Sequence, residues 1–322
     1  MADYINIRGQ NIEVVASDPA NPTIGQIWYN STSNTLKGGG VTTVGAWATG
    51  NNMNTARYYT AGAGTQTAAL AAGGAAPTPD ASVAEEYDGT SWTNSNPLNT
   101  GRYTLAGAGT QTAAVIFGGN IPPITGATEE YGGVSWVTSN PLNTARNLLA
   151  GAGTQTAALA FGGSIPPATG ATEEYDGNSW ATSPGSLNTA RVYSGGAGTQ
   201  TAALAFGGEV PPNTNVTEEY NGTSWANSNP LNTARYFLAG AGTQTSALAF
   251  GGDTGSLTGA TEEYDGTSWT SNPTGLNTVR YTMAGAGTQT AGLAFGGFTP
   301  SSSAATEEWT GPGPATKTIT VS

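Results

Sequence analysis

Short apolar runs alternate with turns rich in Gly, Asn, Thr and Pro over residues 45–310. The clearest example is "AGAGTQTAALAFGG" at Ala150–Gly163. Counting this one, the chain contains six near-identical copies of the block. Each copy contains two short runs separated by a polar Thr-Gln turn, which is typical of two β-strands joined as a hairpin. The block lacks the lysine of a phosphate-binding loop and recurs six times, so it indicates architecture rather than a nucleotide site.

Each repeat also carries an arginine, a double glycine, an acidic pair followed by Tyr or Trp, and a Trp that opens the last strand. Turns of the Asp-Gly and Asn-Gly type favour tight hairpins. Each repeat unit is therefore predicted to form four antiparallel strands. Six such units around an axis predict an all-β fold, a six-bladed β-propeller. The arginines recur every 44 or 45 residues, at Arg57, Arg102, Arg146, Arg191, Arg235 and Arg280.

An apolar strand ending in double Gly, followed by Tyr, Trp and Arg, resembles the kelch repeat. The resemblance covers about residues 45–310, although these units are shorter and poorer in large apolar residues. Their near identity suggests recent duplication. Some kelch proteins are copper oxidases, and that activity needs His ligands and a Tyr–Cys cofactor. The chain contains neither His nor Cys, so the oxidase interpretation fails.

The position of Trp47 predicts how the propeller closes. Trp47 lies ten residues before Arg57, as Trp92 lies before Arg102. Residues 45–53 are therefore expected to complete the last blade, which removes an exposed sheet edge. On this basis residues 41–314 form the propeller. The segment 315–322 is a C-terminal strand or tail, and its "TKTITVS" is the rival for that closing role.

Residues 1–40 lie outside the repeat and predict a β-hairpin extension. The segment "GQIWYNSTSNTLK" resembles parts of phage tail-fibre and other virion proteins, especially those of marine phages. This resemblance implies an attachment segment, through which homo-oligomers would form. The alternative is a strand pair that caps the propeller.

Composition excludes several classes of function. The net charge of -12 and pI near 4.2 argue against nucleic acids and anionic membranes as partners. The absence of His and Cys removes most zinc, copper and haem chemistry, and we expect no cofactor and no metal, with calcium left open. The N-terminal "MADYINIRGQ" lacks a basic region and an apolar region, so we expect no signal peptide. No apolar run is long enough for membrane insertion. Assembly in the host cytoplasm into a virion released by lysis would bring such a protein outside the cell.

Twelve of the fourteen glutamates form adjacent pairs. Neighbours on a strand point to opposite faces, so a pair cannot flank one glycosidic bond. Buried charges need partners, which favours structural pairing between blades with the repeat arginines over catalysis. Each arginine is expected to be buried and to contact a glutamate of its own or the adjacent blade. The paired residues are Glu85, Glu86, Glu129, Glu130, Glu173, Glu174, Glu218, Glu219, Glu262, Glu263, Glu307 and Glu308.

The repeats differ mainly in the loops after the double glycines, whereas the "GTQT" turn is constant. Variable loops on a rigid scaffold usually carry function. They are expected to share one face of the disk with the connections between blades. The candidate binding residues on this face are Asp80, Asn96, Asn120, Thr125, Asn140, Ser164, Glu209, Asn213, Asn215, Asn229, Asp253, Ser256, Asn272, Phe298 and Ser301.

The preferred interpretation is a non-enzymatic phage virion protein used for attachment or decoration. Its partners would be a host-surface glycan or protein, or other virion proteins, and no catalytic residue is assigned. The first alternative is a carbohydrate-active enzyme, for which Asp80, Glu209 and Asp253 are the acids peculiar to single loops. The second is a purely architectural particle protein without a ligand.

Overall fold

The computed structural model describes residues 12–19, 25–41, 44–76 and 81–319, and every regular element in these ranges is a β-strand. The strands form seven four-stranded sheets. The chain divides into two compact units, one of residues 1–45 with 311–322 and one of residues 46–310. An all-β fold of repeated four-stranded sheets agrees with the sequence prediction.

The smaller unit contains one sheet in the order β1-β2-β3-β28. Its strands are β1 (Glu13–Val15), β2 (Ile27–Asn30), β3 (Thr35–Val41) and β28 (Pro314–Thr318). β1 pairs with β2 in parallel, and the other two pairings are antiparallel. The expected hairpin is present as β2 and β3, and the Asn30 side chain closes its turn by accepting from the amides of Thr32 and Ser33. The strand expected within residues 1–11 lies outside the described residues.

The C-terminal strand belongs to the smaller unit, because β28 pairs with β3 along residues 37–41. The compact units therefore differ from the predicted boundaries of 1–40, 41–314 and 315–322. The sequence offered two strands to complete the last repeat, the segment around Trp47 and the C-terminal segment. Backbone pairing places the C-terminal strand in the sheet of β3 instead.

The larger unit contains six antiparallel sheets with matching strand order, numbered one to six along the chain. The first strands are β5 (Ala61–Thr65), β9 (Ala106–Thr110), β13 (Ala150–Thr154), β17 (Gly195–Gly198), β21 (Ala239–Thr243) and β25 (Ala284–Gly287). The second strands are β6 (Ala68–Ala72), β10 (Ala113–Phe117), β14 (Ala157–Phe161), β18 (Ala203–Phe206), β22 (Ser246–Phe250) and β26 (Ala291–Phe295). The third strands are β7 (Ala84–Tyr87), β11 (Thr128–Tyr131), β15 (Thr172–Tyr175), β19 (Thr217–Tyr220), β23 (Thr261–Tyr264) and β27 (Thr306–Thr310). The fourth strands are β8 (Trp92–Ser95), β12 (Trp136–Ser139), β16 (Trp180–Thr182), β20 (Trp225–Ser228), β24 (Trp269–Asn272) and β4 (Ala46–Thr49).

Sheet six takes its fourth strand from the start of the unit. β4 pairs antiparallel with β27, and Trp47 lies opposite Trp309. The Trp47 indole also donates a 2.9 Å hydrogen bond to Thr261 Oγ1 of sheet five. The strand pairing predicted from the position of Trp47 is therefore present.

The first strands approach one another closely. Each lies beside the first strand of the next sheet, and β25 lies beside β5. A Cβ atom on Gly62 would lie only 2.7 Å from the carbonyl oxygen of Gly285, so a residue with a side chain would force the two strands apart. The repeated glycines therefore permit this approach, and the arrangement is consistent with a β-propeller.

The apolar core lies between consecutive sheets. The second strands are buried on both faces, which explains why they are continuous apolar runs rather than alternating ones. Six clusters of buried side chains each combine residues of two neighbouring sheets, and the series includes one between sheets six and one. In one of them the rings of Phe161 and Trp225 pack 5.0 Å apart. Each sheet is thus stabilised mainly by its neighbours.

Trp47→Ala should destabilise the larger unit by about 3–5 kcal/mol, the usual cost of truncating a buried aromatic side chain. Trp47 is 7% exposed and packs on Phe250 and Trp309. Chemical denaturation followed by tryptophan fluorescence measures the change. Ala48→Ser, at an exposed position of the same strand, is the control. Equal stability of the two variants would show that β4 is dispensable.

Candidate functional site

All six repeat arginines are buried and form ion pairs, as the sequence predicts, but each partner lies in the same sheet as its arginine. Of the two partners expected, a glutamate of the arginine's own blade or of the adjacent one, the structure shows the first, and the favoured pairing between blades is not formed by these residues. The arginine precedes the first strand, and its guanidinium donates to a carbonyl of the second strand and contacts a glutamate of the third. The pairs are Arg57–Glu85, Arg102–Glu129, Arg146–Glu173, Arg191–Glu218, Arg235–Glu262 and Arg280–Glu307.

The pair in sheet three shows how the contact is held. Arg146 Nη1 lies 2.5 Å from Glu173 Oε1, and Arg146 Nη2 donates to the carbonyl of Ala160. The second carboxylate oxygen of Glu173 accepts from the backbone amide of Asn143. Burial lowers the pKa of Arg146, and the nearby carboxylate opposes that effect. One glutamate thus compensates a buried charge and fixes the segment that connects two sheets.

The second glutamate of each pair makes no ion pair within the described residues and instead joins neighbouring sheets through tyrosine. The tyrosine hydroxyl of the next sheet donates to it. These contacts are Tyr131–Glu86, Tyr175–Glu130, Tyr220–Glu174, Tyr264–Glu219 and Tyr87–Glu308. In sheet six, Trp309 occupies the position of this tyrosine. The corresponding glutamate of sheet five, Glu263, instead accepts a 3.0 Å hydrogen bond from Asn272 Nδ2. The expected bonding between blades therefore exists, but its donor is Tyr rather than Arg.

The constant "GTQT" turn also has a structural role. In every repeat its glutamine amide donates to two backbone carbonyls of the preceding sheet. Gln155, for example, reaches the carbonyls of Ala114 and Tyr131. These bonds explain the constancy of the turn, so its contrast with the variable loops is not evidence for a partner.

Five candidate loop residues occupy equivalent positions in five sheets, at the start of the variable loops. Each pairs through its backbone with the residue that follows a repeat arginine. The pairs are Asn120 with Tyr103, Ser164 with Asn147, Glu209 with Val192, Asp253 with Tyr236 and Phe298 with Tyr281. The structure thus places the start of each variable loop next to the segment after the arginine, and both are partly exposed.

Four candidate asparagines lie at the ends of the fourth strands, and their side chains bind groups outside the variable loops. Asn96, Asn140 and Asn229 donate to backbone carbonyls in the turn between the third and fourth strands of the next sheet. The sequence predicts that the connections between blades share a face with the variable loops, whereas the three asparagine side chains contact a turn of the neighbouring sheet. Asn272 binds Glu263 of its own sheet. The difference arises because these amides satisfy backbone groups of a neighbouring turn, which strand direction alone does not predict.

The remaining candidates contribute mainly to loop structure. Thr125 closes its loop by donating to Gly119 and accepting from Ala127. Asn215 donates to Leu231, and Asn213 reaches the carbonyl of Asp253 at 3.5 Å. The backbone carbonyls of two exposed residues, Ser256 and Ser301, also accept hydrogen bonds within their loops. Asp80 lies outside the described residues.

The second residue after each arginine belongs to a ring of backbone hydrogen bonds, the axial ring. Each amide donates to the carbonyl of the equivalent residue in the preceding sheet, at 2.9–3.2 Å, and the sixth bond returns to sheet one. All six residues have φ between 55° and 59°, a region that non-glycine residues adopt only when their surroundings impose it. The members are Tyr59, Thr104, Leu148, Tyr193, Phe237 and Thr282.

Seven aromatic side chains, the aromatic cluster, cover one sector of this surface. Their rings are in contact from one to the next, with centroids 3.8–6.4 Å apart. All are partly exposed. The members are Tyr58, Tyr59, Tyr193, Tyr236, Phe237, Tyr281 and Phe298. Of these seven residues, only Phe298 is among the binding candidates predicted from the sequence.

A cavity of about 120 Å³ opens within the axial ring. Tyr59, Tyr193 and Phe237 line one part of its wall, and Thr104 and Leu148 line another. Burial raises the pKa of Tyr193, and nearby Glu209 adds to that effect. Burial also raises the pKa of Tyr236, and the negative charges of Asp253 and Glu209 raise it further. The surface therefore combines neutral phenols with two carboxylates, an arrangement suited to binding.

No protein-family model matches the chain, and no curated protein matches it significantly. The kelch resemblance therefore rests on the repeat motif alone. Within the described ranges no three acidic side chains converge to form a metal site. The described part of the chain also contains no helix long and apolar enough to span a bilayer.

Arg146→Ala should lower the free energy of unfolding by about 3–5 kcal/mol, because it leaves Glu173 buried without its charge partner. Denaturant titration at neutral pH measures this loss. Thr144→Ala, at an exposed position of the same connection, should stay within about 0.5 kcal/mol of the parent protein. A loss no larger than that of the control would contradict a stabilising role for the ion pair.

Stability should fall as the pH rises from about 10 to about 12. Burial, followed by hydrogen bonding to glutamate, raises the pKa of Tyr175, Tyr220 and Tyr264 from 10.0 to about 12. Stability from these neutral phenols is complete below the unfolded pKa and is lost as the pH approaches the folded value. Denaturation at graded pH, with phenolate absorbance, tests this. A triple Tyr→Phe variant should show a shallower fall, and an unchanged profile would contradict the assignment.

Proposed function

We propose that the six sheets of the larger unit are the blades of a closed, kelch-like β-propeller. Three observations support closure. β4 completes the sheet of β27, the sixth apolar cluster joins sheets six and one, and the axial ring returns to its starting residue. A propeller without free inner edges is a rigid scaffold on which surface residues keep fixed positions.

We further propose that this propeller is a non-enzymatic binding protein of a phage virion, used for attachment or decoration. The observation that carries the proposal is the partly exposed aromatic cluster next to the variable loops. Aromatic side chains with polar tips provide large, rigid contact areas for glycans and proteins. The virion location is supported by the resemblance of "GQIWYNSTSNTLK" to phage fibre proteins.

A catalytic role receives less support from the same contacts. The twelve paired glutamates bind arginine, tyrosine or asparagine in the structure. The two described acids of the enzyme alternative, Glu209 and Asp253, both lie beside the aromatic cluster, where they are also accounted for as binding groups. Binding therefore accounts for the surface with fewer assumptions than hydrolysis does.

Tyr236→Ala should abolish binding of the purified protein to an array of bacterial surface polysaccharides, because it removes a central ring of the aromatic cluster. Tyr103→Ala is the matched control, since Tyr103 occupies the equivalent position in sheet two but makes no ring contact with the cluster. Both variants should keep their melting temperature. Equal binding by the two variants would contradict the proposed site.

Immunogold electron microscopy of released phage particles tests the proposed location independently. Antibody raised against residues 46–310 should label intact particles. Labelling confined to lysate protein, with bare particles, would rule out the virion assignment and leave the binding assignment open to the array experiment.

A further inference from the structure

The larger unit carries a large excess of negative charge. Residues 46–310 contain 18 acidic side chains, six arginines and no lysine, so they account for the whole net charge of -12. All six arginines are at most 1% exposed and are paired with glutamate. The accessible charged side chains of this unit are therefore all negative, and its field favours a cationic ligand.

Two of these uncompensated acids lie at the aromatic cluster. Glu209 pairs through its backbone with Val192, the neighbour of Tyr193, and Asp253 pairs with Tyr236. Both carboxylates are partly exposed. Aromatic faces attract organic cations because the ring face carries partial negative charge. The carboxylates add a hydrogen-bonding partner for an ammonium group.

The equivalent positions in sheets two and three carry Asn120 and Ser164, which are neutral. The residues beside them are Tyr103, whose ring does not contact the aromatic cluster, and Asn147, which is not aromatic. Acid and contiguous aromatic surface thus coincide in the sector that begins at sheet four. This coincidence within a repeat protein of near-identical units indicates a specific site rather than a general property of the scaffold.

We propose that the aromatic cluster, with Glu209 and Asp253, binds a carbohydrate bearing free amino groups. The aromatic rings cover the apolar face of the sugar, and the two carboxylates receive its ammonium groups. This inference rests on the proposed glycan-binding function and specifies the chemical class of the ligand. An acidic glycan would meet two carboxylates of like charge, which disfavours it. A neutral glycan offers hydroxyl donors but no opposite charge, so the carboxylates favour the amino sugar.

The test compares glucosamine oligomers with N-acetylglucosamine oligomers of the same length by isothermal titration calorimetry. The two probes share a sugar backbone and differ in the charge of the amino group. We expect at least about tenfold tighter binding of the charged oligomer, equivalent to about 1.4 kcal/mol. This preference should weaken as the salt concentration rises. Equal affinity for the two oligomers would overturn the inference.

The double variant Glu209→Gln/Asp253→Asn should reduce the affinity for glucosamine oligomers by about tenfold or more. Asparagine at 253 retains an oxygen that can accept from the amide of Gly255, as Asp253 does. The matched control is Asp176→Asn/Asp265→Asn, which removes the same charge from two exposed turns. Asn221 already caps the equivalent turn in sheet four, so this control should fold normally and keep its affinity.

Oligolysine of matched charge is the second probe. Binding of oligolysine that equals glucosamine binding and survives Tyr236→Ala would show general attraction to an acidic protein and overturn the inference. Failure of both sugar oligomers, combined with polysaccharide-array binding that depends on Tyr236, would refute the amino-sugar assignment alone. Array binding that does not depend on Tyr236 would refute the proposed site as well.

Discussion

The buried Arg–Glu pair is the interaction on which each sheet of the larger unit depends. It links the segment before the first strand to the third strand, and it receives backbone amides from the connection between sheets. A buried pair of this kind contributes less to net stability than its Coulomb energy suggests, because both charges lose water. Its importance lies in register: the guanidinium must pass one carbonyl of the second strand to reach one carboxylate of the third. Six repetitions of this contact give six sheets of matching geometry.

Side-chain hydrogen bonds join each of these sheets to its neighbour. Tyrosine hydroxyls bind the outer glutamates, glutamine amides bind backbone carbonyls, and tryptophan indoles bind threonine hydroxyls of the preceding sheet. These polar bonds surround apolar clusters that consist largely of alanine, leucine and single aromatic rings. The small side chains allow the sheets to lie close together, and the polar bonds fix their relative rotation. The charge-poor sequence is therefore compatible with a highly ordered interior.

Much of this arrangement could be predicted from spacing. The repeat interval gave four strands per unit, and the position of Trp47 gave its pairing with the strand of Trp309. The choice of glutamate for each arginine could not be predicted, because it depends on which face of the third strand turns toward the connection. The aromatic cluster was also beyond prediction. Its members become neighbours through the left-handed backbone at positions such as Tyr59 and Phe237, and threonine or leucine fills the same position elsewhere.

The axial ring has a consequence for the evolution of the gene. Recombination between near-identical tandem repeats would produce chains with one unit fewer or more. In the proposed propeller, the six amide-to-carbonyl bonds and the glycine contacts of the inner strands would set a fixed circumference at the centre. A shorter array would then compress those glycines, and a longer one would stretch the bonds or exclude a unit. Selection for folding would thus keep the copy number constant while the variable loops diverge.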